Sequence, residues 1–105
     1  MTEETKQKIQ KIAQTYGYDA QSRQCIEEMA ELTQAINKYW RKQGNGQPTD
    51  KKDCFDNIVE EMADVQIMLW QLEYLLNADT SIIVQQKLDR QMERMDKNEK
   101  IKQGI

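Results

Sequence analysis

The sequence predicts an all-α protein, a bundle of four helices that oligomerises through its helices. Three observations lead there. One proline and four glycines in 105 residues leave little to interrupt a helix. Ala, Leu, Met, Glu, Gln, Lys and Arg, the strong helix formers, dominate. The apolar residues recur at three- and four-residue intervals, the period of a helix with one buried face. The length suits one domain over residues 1–105, with a modest core.

The elements follow in order. Thr2 to Tyr16 forms a polar first helix with Ile9, Ile12 and Ala13 as its apolar contacts, and Gly17 is its C-terminal stop. Asp19 is the expected N-cap of a second helix running to about Lys42. GNGQPTDKKD, Gly44 to Asp53, gathers Gly, Asn, Pro and Asp, and so reads as the main loop. A third helix is expected from near Asp53 to near Asn77. Asp79 or Thr80 then caps a fourth, which runs towards Lys100.

Composition excludes several function classes. Fifteen Lys and Arg against eighteen Asp and Glu give a net charge of -3, which is the wrong balance for a basic groove tracking long nucleic acid. No apolar run approaches the ~20 residues of a membrane span. Cys25 and Cys54 lack CxxC spacing, and with no signal-peptide pattern they point to reduced thiols and a cytoplasmic location. Histidine is absent, which removes imidazole metal ligands and His general bases.

Two near-identical hexapeptides stand out: EEMAEL at Glu27 to Leu32 and EEMADV at Glu60 to Val65. At about 100° per residue, Ile26, Met29, Thr33, Ile36 and Trp40 share one stripe of the second helix. That stripe is the expected core face. Glu28 and Glu31 lie off it, with Leu32 and Tyr39 beside Glu28. On the third helix, Glu61 and Asp64 fall inside an apolar stripe with Val65, Met68, Leu72 and Leu75. The remaining sides carry Phe55, Ile58, Val59, Ile67, Leu69, Trp70, Tyr74 and Leu76. A helix apolar nearly all round is central or buried by a partner chain, so at least a homodimer is expected.

An EExxE run on a helix is most often a solvated face. A carboxylate inside an apolar stripe, however, needs a partner, a proton or a metal. Two i, i+3 pairs, Glu28 with Glu31 and Glu61 with Asp64, converge if their helices pack side by side. Such an all-oxygen set suits Mg²⁺, with Mn²⁺ as a substitute, over Zn²⁺ or Cu²⁺. The di-iron bundle in its Glu-x-x-His form is excluded, because the chain has no histidine.

Glu-x-x-Glu on one helix and Glu-x-x-Asp on the next resemble the MazG-like members of the all-α nucleoside triphosphate pyrophosphohydrolase superfamily. The likeness runs from about Tyr16 to Met95. It takes in INKYWR after the first motif, DNIVEEMADVQIMLWQL around the second, and KLDR on the last helix. One departure is the spacer: 29 residues between Glu31 and Glu61 lie at or just beyond the long end of the usual gap. The excess falls in the GNGQPTDKKD loop, where length is tolerated.

The resemblance implies a Mg²⁺-dependent enzyme that cleaves a nucleoside or deoxynucleoside triphosphate between the α and β phosphates, releasing the monophosphate and pyrophosphate. Glu28, Glu31, Glu61 and Asp64 would be the ligands. Glu27, Glu28 or Glu60 would accept the proton of the attacking water. Lys38, Arg41, Lys87 and Arg90 are candidates to hold phosphate oxygens. Asn57 and Trp40 are candidates for further substrate contacts, Trp40 by stacking on a base. The resemblance also implies a homodimer or homotetramer. Two rivals stand beside the enzyme: a non-catalytic helical interaction module, and a nucleotide- or metal-binding regulator without turnover.

Overall fold

The computed structural model describes residues 1–44 and 51–104. Nearly all the described residues are helical, with no strand among them. There are three helices: α1 (Glu3–Gly44), α2 (Lys51–Leu76) and α3 (Ser81–Lys102). The tip of the expected GNGQPTDKKD loop, residues 45–50, lies outside the described residues, and α2 begins two residues before Asp53. No helix is long and apolar enough to cross a membrane among the described residues.

The first two expected helices run together as α1, but the break at Gly17 is real. Gly17 has φ 83° and ψ 168°, which is not helical. A side chain is strongly disfavoured there, and glycine supplies the conformation at little cost. Thr2 caps α1 by accepting a hydrogen bond from the Thr5 N–H at 3.1 Å, and Glu3 and Glu4 complement the helix dipole in the first turn. Asp19 does not act as the expected cap. Its carboxylate pairs with Arg23 one turn on, at 3.5 Å.

The turn between α2 and α3 closes on Asn77, which takes a left-handed φ of 51°. The Ala78 N–H then donates to the Glu73 carbonyl at 2.9 Å. Asp79 supplies the start of α3 by accepting from the Ser81 N–H at 2.9 Å, and these bonds hold its carboxyl below the usual value. Thr80 instead donates its hydroxyl to Glu73.

α1 and α2 form an antiparallel pair. Gln14 bonds Tyr74, Gln21 bonds Gln71, and the Tyr39 and Phe55 rings sit 6.4 Å apart, so numbers rise on one helix as they fall on the other. Ile9, Ala13, Cys25 and Ala35 of α1 are buried, with Cys54, Val65 and Met68 of α2. Between the helices, towards the C-terminal end of α2, the buried Gln21 side chain donates to Gln71 Oε1 at 2.8 Å. The pair satisfies itself inside an apolar layer, which sets the register of the two helices.

α3 packs against neither α1 nor α2 and buries no residue. A four-helix bundle within one chain is therefore not what the described residues form; they form a two-helix layer with a third helix projecting from it. The radius of gyration is 18.5 Å, where a compact chain of this length has about 13 Å.

The expected core stripe of the second helical segment is also displaced. Ile26, Met29, Ile36 and Trp40 are exposed, Trp40 at 72%. The face that packs on α2 instead carries Gln21, Cys25, Glu28, Leu32, Ala35 and Tyr39. It lies roughly 90° around the helix from the apolar stripe. That face mixes small, polar and apolar side chains, while Ile26, Met29, Ile36 and Trp40 are left facing outward.

Candidate metal centre

Each hexapeptide sits midway along its helix, and the antiparallel pairing brings the two level. Oxygens of Glu28, Glu31 and Glu61 lie within 4.8 Å of one another. Glu28 and Glu61 are half-buried between the helices, while Glu31 is exposed at the rim. Glu28 Oε1 accepts from Gln24 Nε2 at 2.9 Å. Its other oxygen, Oε2, is buried with no hydrogen-bond partner, and so is Oε2 of Glu61.

Buried carboxylate oxygens are almost always satisfied, because desolvating them without a partner costs several kcal/mol. Two orphaned oxygens in one acidic cluster fit a hard cation that accepts both. No ion pair to these three carboxylates occurs among the described residues, whose salt bridges are Glu4–Lys8, Asp19–Arg23 and Asp56–Lys52. The Glu31 carboxyl is pushed above its ordinary value, chiefly by the negative charges of Glu28 and Glu61. The Cys25 thiol is also pushed up, first by burial and then by Glu28.

Asp64 is not part of this cluster. It is exposed, one turn beyond Glu61, and its expected place inside an apolar stripe is corrected. The contrast expected between the two hexapeptides is really a contrast within each. The first acid of each i, i+3 pair faces the neighbouring helix, and the second stands at the rim. Glu27 and Glu60 are both exposed.

The remaining candidates divide by position. Asn57 is half-buried on α2, on the turn preceding Glu61. Lys38 is exposed two turns after Glu31, on the same side of α1. Arg41 is exposed on the back of the helix. Trp40 lies on the opposite face from Glu31, so within one protomer it has no base to stack on at this site. Lys87 and Arg90 are on α3, which does not touch the α1–α2 pair, so the structure does not bring them to the carboxylates.

A separate cleft of about 550 Å³ opens where α1 begins and α2 ends. It is lined by Met1, Lys6, Ile9, Gln10, Trp70, Glu73, Tyr74 and residues 77–79. None of the candidate site residues lines it. Gln24 and the buried Gln21–Gln71 pair are the polar residues that the sequence reading missed. The glutamine at i−4 from Glu28 was the available signal for the first.

No protein-family model matches the chain, and no curated protein or solved structure matches it either.

Proposed function

We propose that the chain is a Mg²⁺-dependent nucleoside triphosphate pyrophosphohydrolase of the MazG-like kind, working as a homodimer or homotetramer. The observation that carries this is the convergence of Glu28, Glu31 and Glu61 with two buried, unpartnered carboxylate oxygens. Glu28, Glu31 and Glu61 would hold the cation, with Asp64 one turn away as a further ligand. The bound ion supplies neutralisation of triphosphate charge and a lowered pKa for a water at the site.

The chain's own groups have distinct parts. Gln24 fixes the Glu28 carboxylate by donating to Oε1, which leaves Oε2 directed elsewhere. Glu27 and Glu60, exposed beside the cluster, accept a proton from water without surrendering a buried oxygen. Lys38, on the Glu31 side of α1, takes phosphate oxygens. Lys87 and Arg90 join only if α3 docks on an α1–α2 pair, its own or a second protomer's.

A panel of standard and modified NTPs and dNTPs with Mg²⁺, assayed for pyrophosphate, tests the proposal. Pyrophosphate release from at least one of them is expected. Orthophosphate in its place moves the cleavage point. No turnover, together with a Glu61→Gln protein that binds Mn²⁺ as well as the wild type, defeats both enzyme and metal centre. Metal binding without turnover identifies the regulator.

A further inference from the structure

The cleft at the start of α1 and the end of α2 shares no residue with the carboxylate cluster. Glu73 lies about 18 Å along α2 from Glu61. The volume of about 550 Å³ is that of a small-molecule site, a class that runs from roughly 300 to 1,000 Å³. The buried Ile9 forms part of the wall. Trp70 and Tyr74, half-buried and one turn apart on α2, supply two aromatic rings. Gln14 donates to the Tyr74 hydroxyl, which holds that ring in place.

The anchored charge of the cleft is negative. Glu73 is half-buried, and its Oε1 accepts from the Thr80 hydroxyl at 3.0 Å. Asp79 accepts from the Ser81 N–H at 2.9 Å, which holds its carboxyl below the usual value. Both stand at the C-terminal end of α2, where the helix dipole is negative and the last turn holds no basic residue. Aromatic rings add an attraction for cations. The cleft also carries two cations, the Lys6 ammonium and the Met1 α-amine, but both residues are exposed, at the α1 wall. Among the described residues, Lys6, Glu73 and Asp79 are in no ion pair. A lysine head on its flexible stem swings out to water, whereas the two carboxylates are tied to α3's first residues.

We infer that this cleft binds an organic ammonium ion with an apolar body, its charge met by Glu73 and Asp79 and its body packed on Trp70 and Tyr74. Lys6 then competes with the ligand for the carboxylates and does not hold it. The site stands apart from the proposed hydrolase. It uses no metal, and its carboxylates would repel a triphosphate. A bound amine would also touch Asn77 and Ala78, in the turn that carries α3.

Isothermal titration calorimetry on the full chain tests this at neutral pH, in chelator, with three probes of one shape: phenethylamine, 2-phenylethanol and 3-phenylpropionate. The amine should bind about tenfold more tightly than the neutral alcohol, and the anion most weakly. Glu73→Gln keeps an oxygen for Thr80 and should weaken the amine about fivefold while leaving the alcohol unchanged. Lys6→Gln should tighten the amine by removing its competitor. Should Glu73→Gln not fold, Asp79→Asn, which keeps the oxygen that accepts from Ser81, takes its place with the same expected loss. Equal binding of amine and alcohol, tightest binding of the anion, or no binding of the amine up to about 10 mM overturns the inference. So does an amine affinity that the carboxylate variant leaves unchanged or that Lys6→Gln lowers. Repeating the titration in saturating Mn²⁺ separates the two sites. Unchanged amine affinity is expected, and displacement of the amine by Mn²⁺ would put it at the Glu28 cluster and overturn the inference. A protein that binds the amine but no Mn²⁺ defeats the metal centre and leaves the cleft.

Discussion

Replacing Glu61 by Gln should raise the stability of the metal-free protein and sharply reduce its response to divalent metal. The substitution keeps shape and removes one charge. Glu28 and Glu61 have oxygens within 4.8 Å, and two full charges at that distance repel by about 0.9 kcal/mol in water and about 3.5 kcal/mol at an effective dielectric of 20. Half-buried side chains fall between these limits, so a gain of roughly 1–3 kcal/mol is expected. For a domain of about this size each kcal/mol moves Tm by roughly 4–8 °C.

Thermal unfolding by circular dichroism at pH 8, in chelator and then in Mn²⁺, measures both effects. Metal at a hundredfold excess over Kd should stabilise the wild type by about 2.7 kcal/mol and the variant by little. The sign with pH follows from Glu31. Its carboxyl is raised above 4.5 by Glu28 and Glu61, so its neutral form is favoured by folding. That contribution is full at pH below 4.5 and is lost as pH rises through the raised value. The advantage of Glu61→Gln should therefore shrink as pH falls through this window. A Glu61→Gln protein that is less stable than the wild type in chelator, with equal response to Mn²⁺, would refute the argument. It would mean that the carboxylate is held by a favourable partner.

Two further predictions concern the fold. Gly17→Ala meets no neighbouring atom within 4 Å, so its cost is backbone strain alone; a loss of about 1–3 kcal/mol is expected in urea unfolding, and an unchanged midpoint would show that the kink is dispensable. Gln71→Leu leaves the buried Gln21 amide without its acceptor and should cost about 1–3 kcal/mol, while the double variant Gln21→Leu/Gln71→Leu should recover most of it in a double-mutant cycle. Additive losses would show that the two side chains are not coupled.

Much of this was legible from local pattern. Helical propensity and the scarcity of Gly and Pro determined that the chain is helical. Gly17 and Asn77 marked real breaks, because left-handed or otherwise special backbone is a property of the residue itself. The i, i+3 spacing of Glu28 with Glu31 and the repeated hexapeptide pointed to the carboxylates that meet, since helix spacing converts directly into shared direction.

What the sequence by itself could not determine was which face of each helix meets which neighbour. Ile26, Met29, Ile36 and Trp40 are the most apolar stripe of their helix, and apolarity says only that a stripe avoids water. It does not say whether the cover comes from the same chain. Only the tertiary structure showed α1 turning Cys25, Glu28 and Ala35 towards α2 and leaving that stripe outside. The reason is physical. Small side chains allow close approach of two helices, and the Gln21–Gln71 bond, 50 residues apart in sequence, locks one register among several. The same rotation carried Glu28 into the interface, set Glu31 and Asp64 at the rim, and left two carboxylate oxygens buried without a partner.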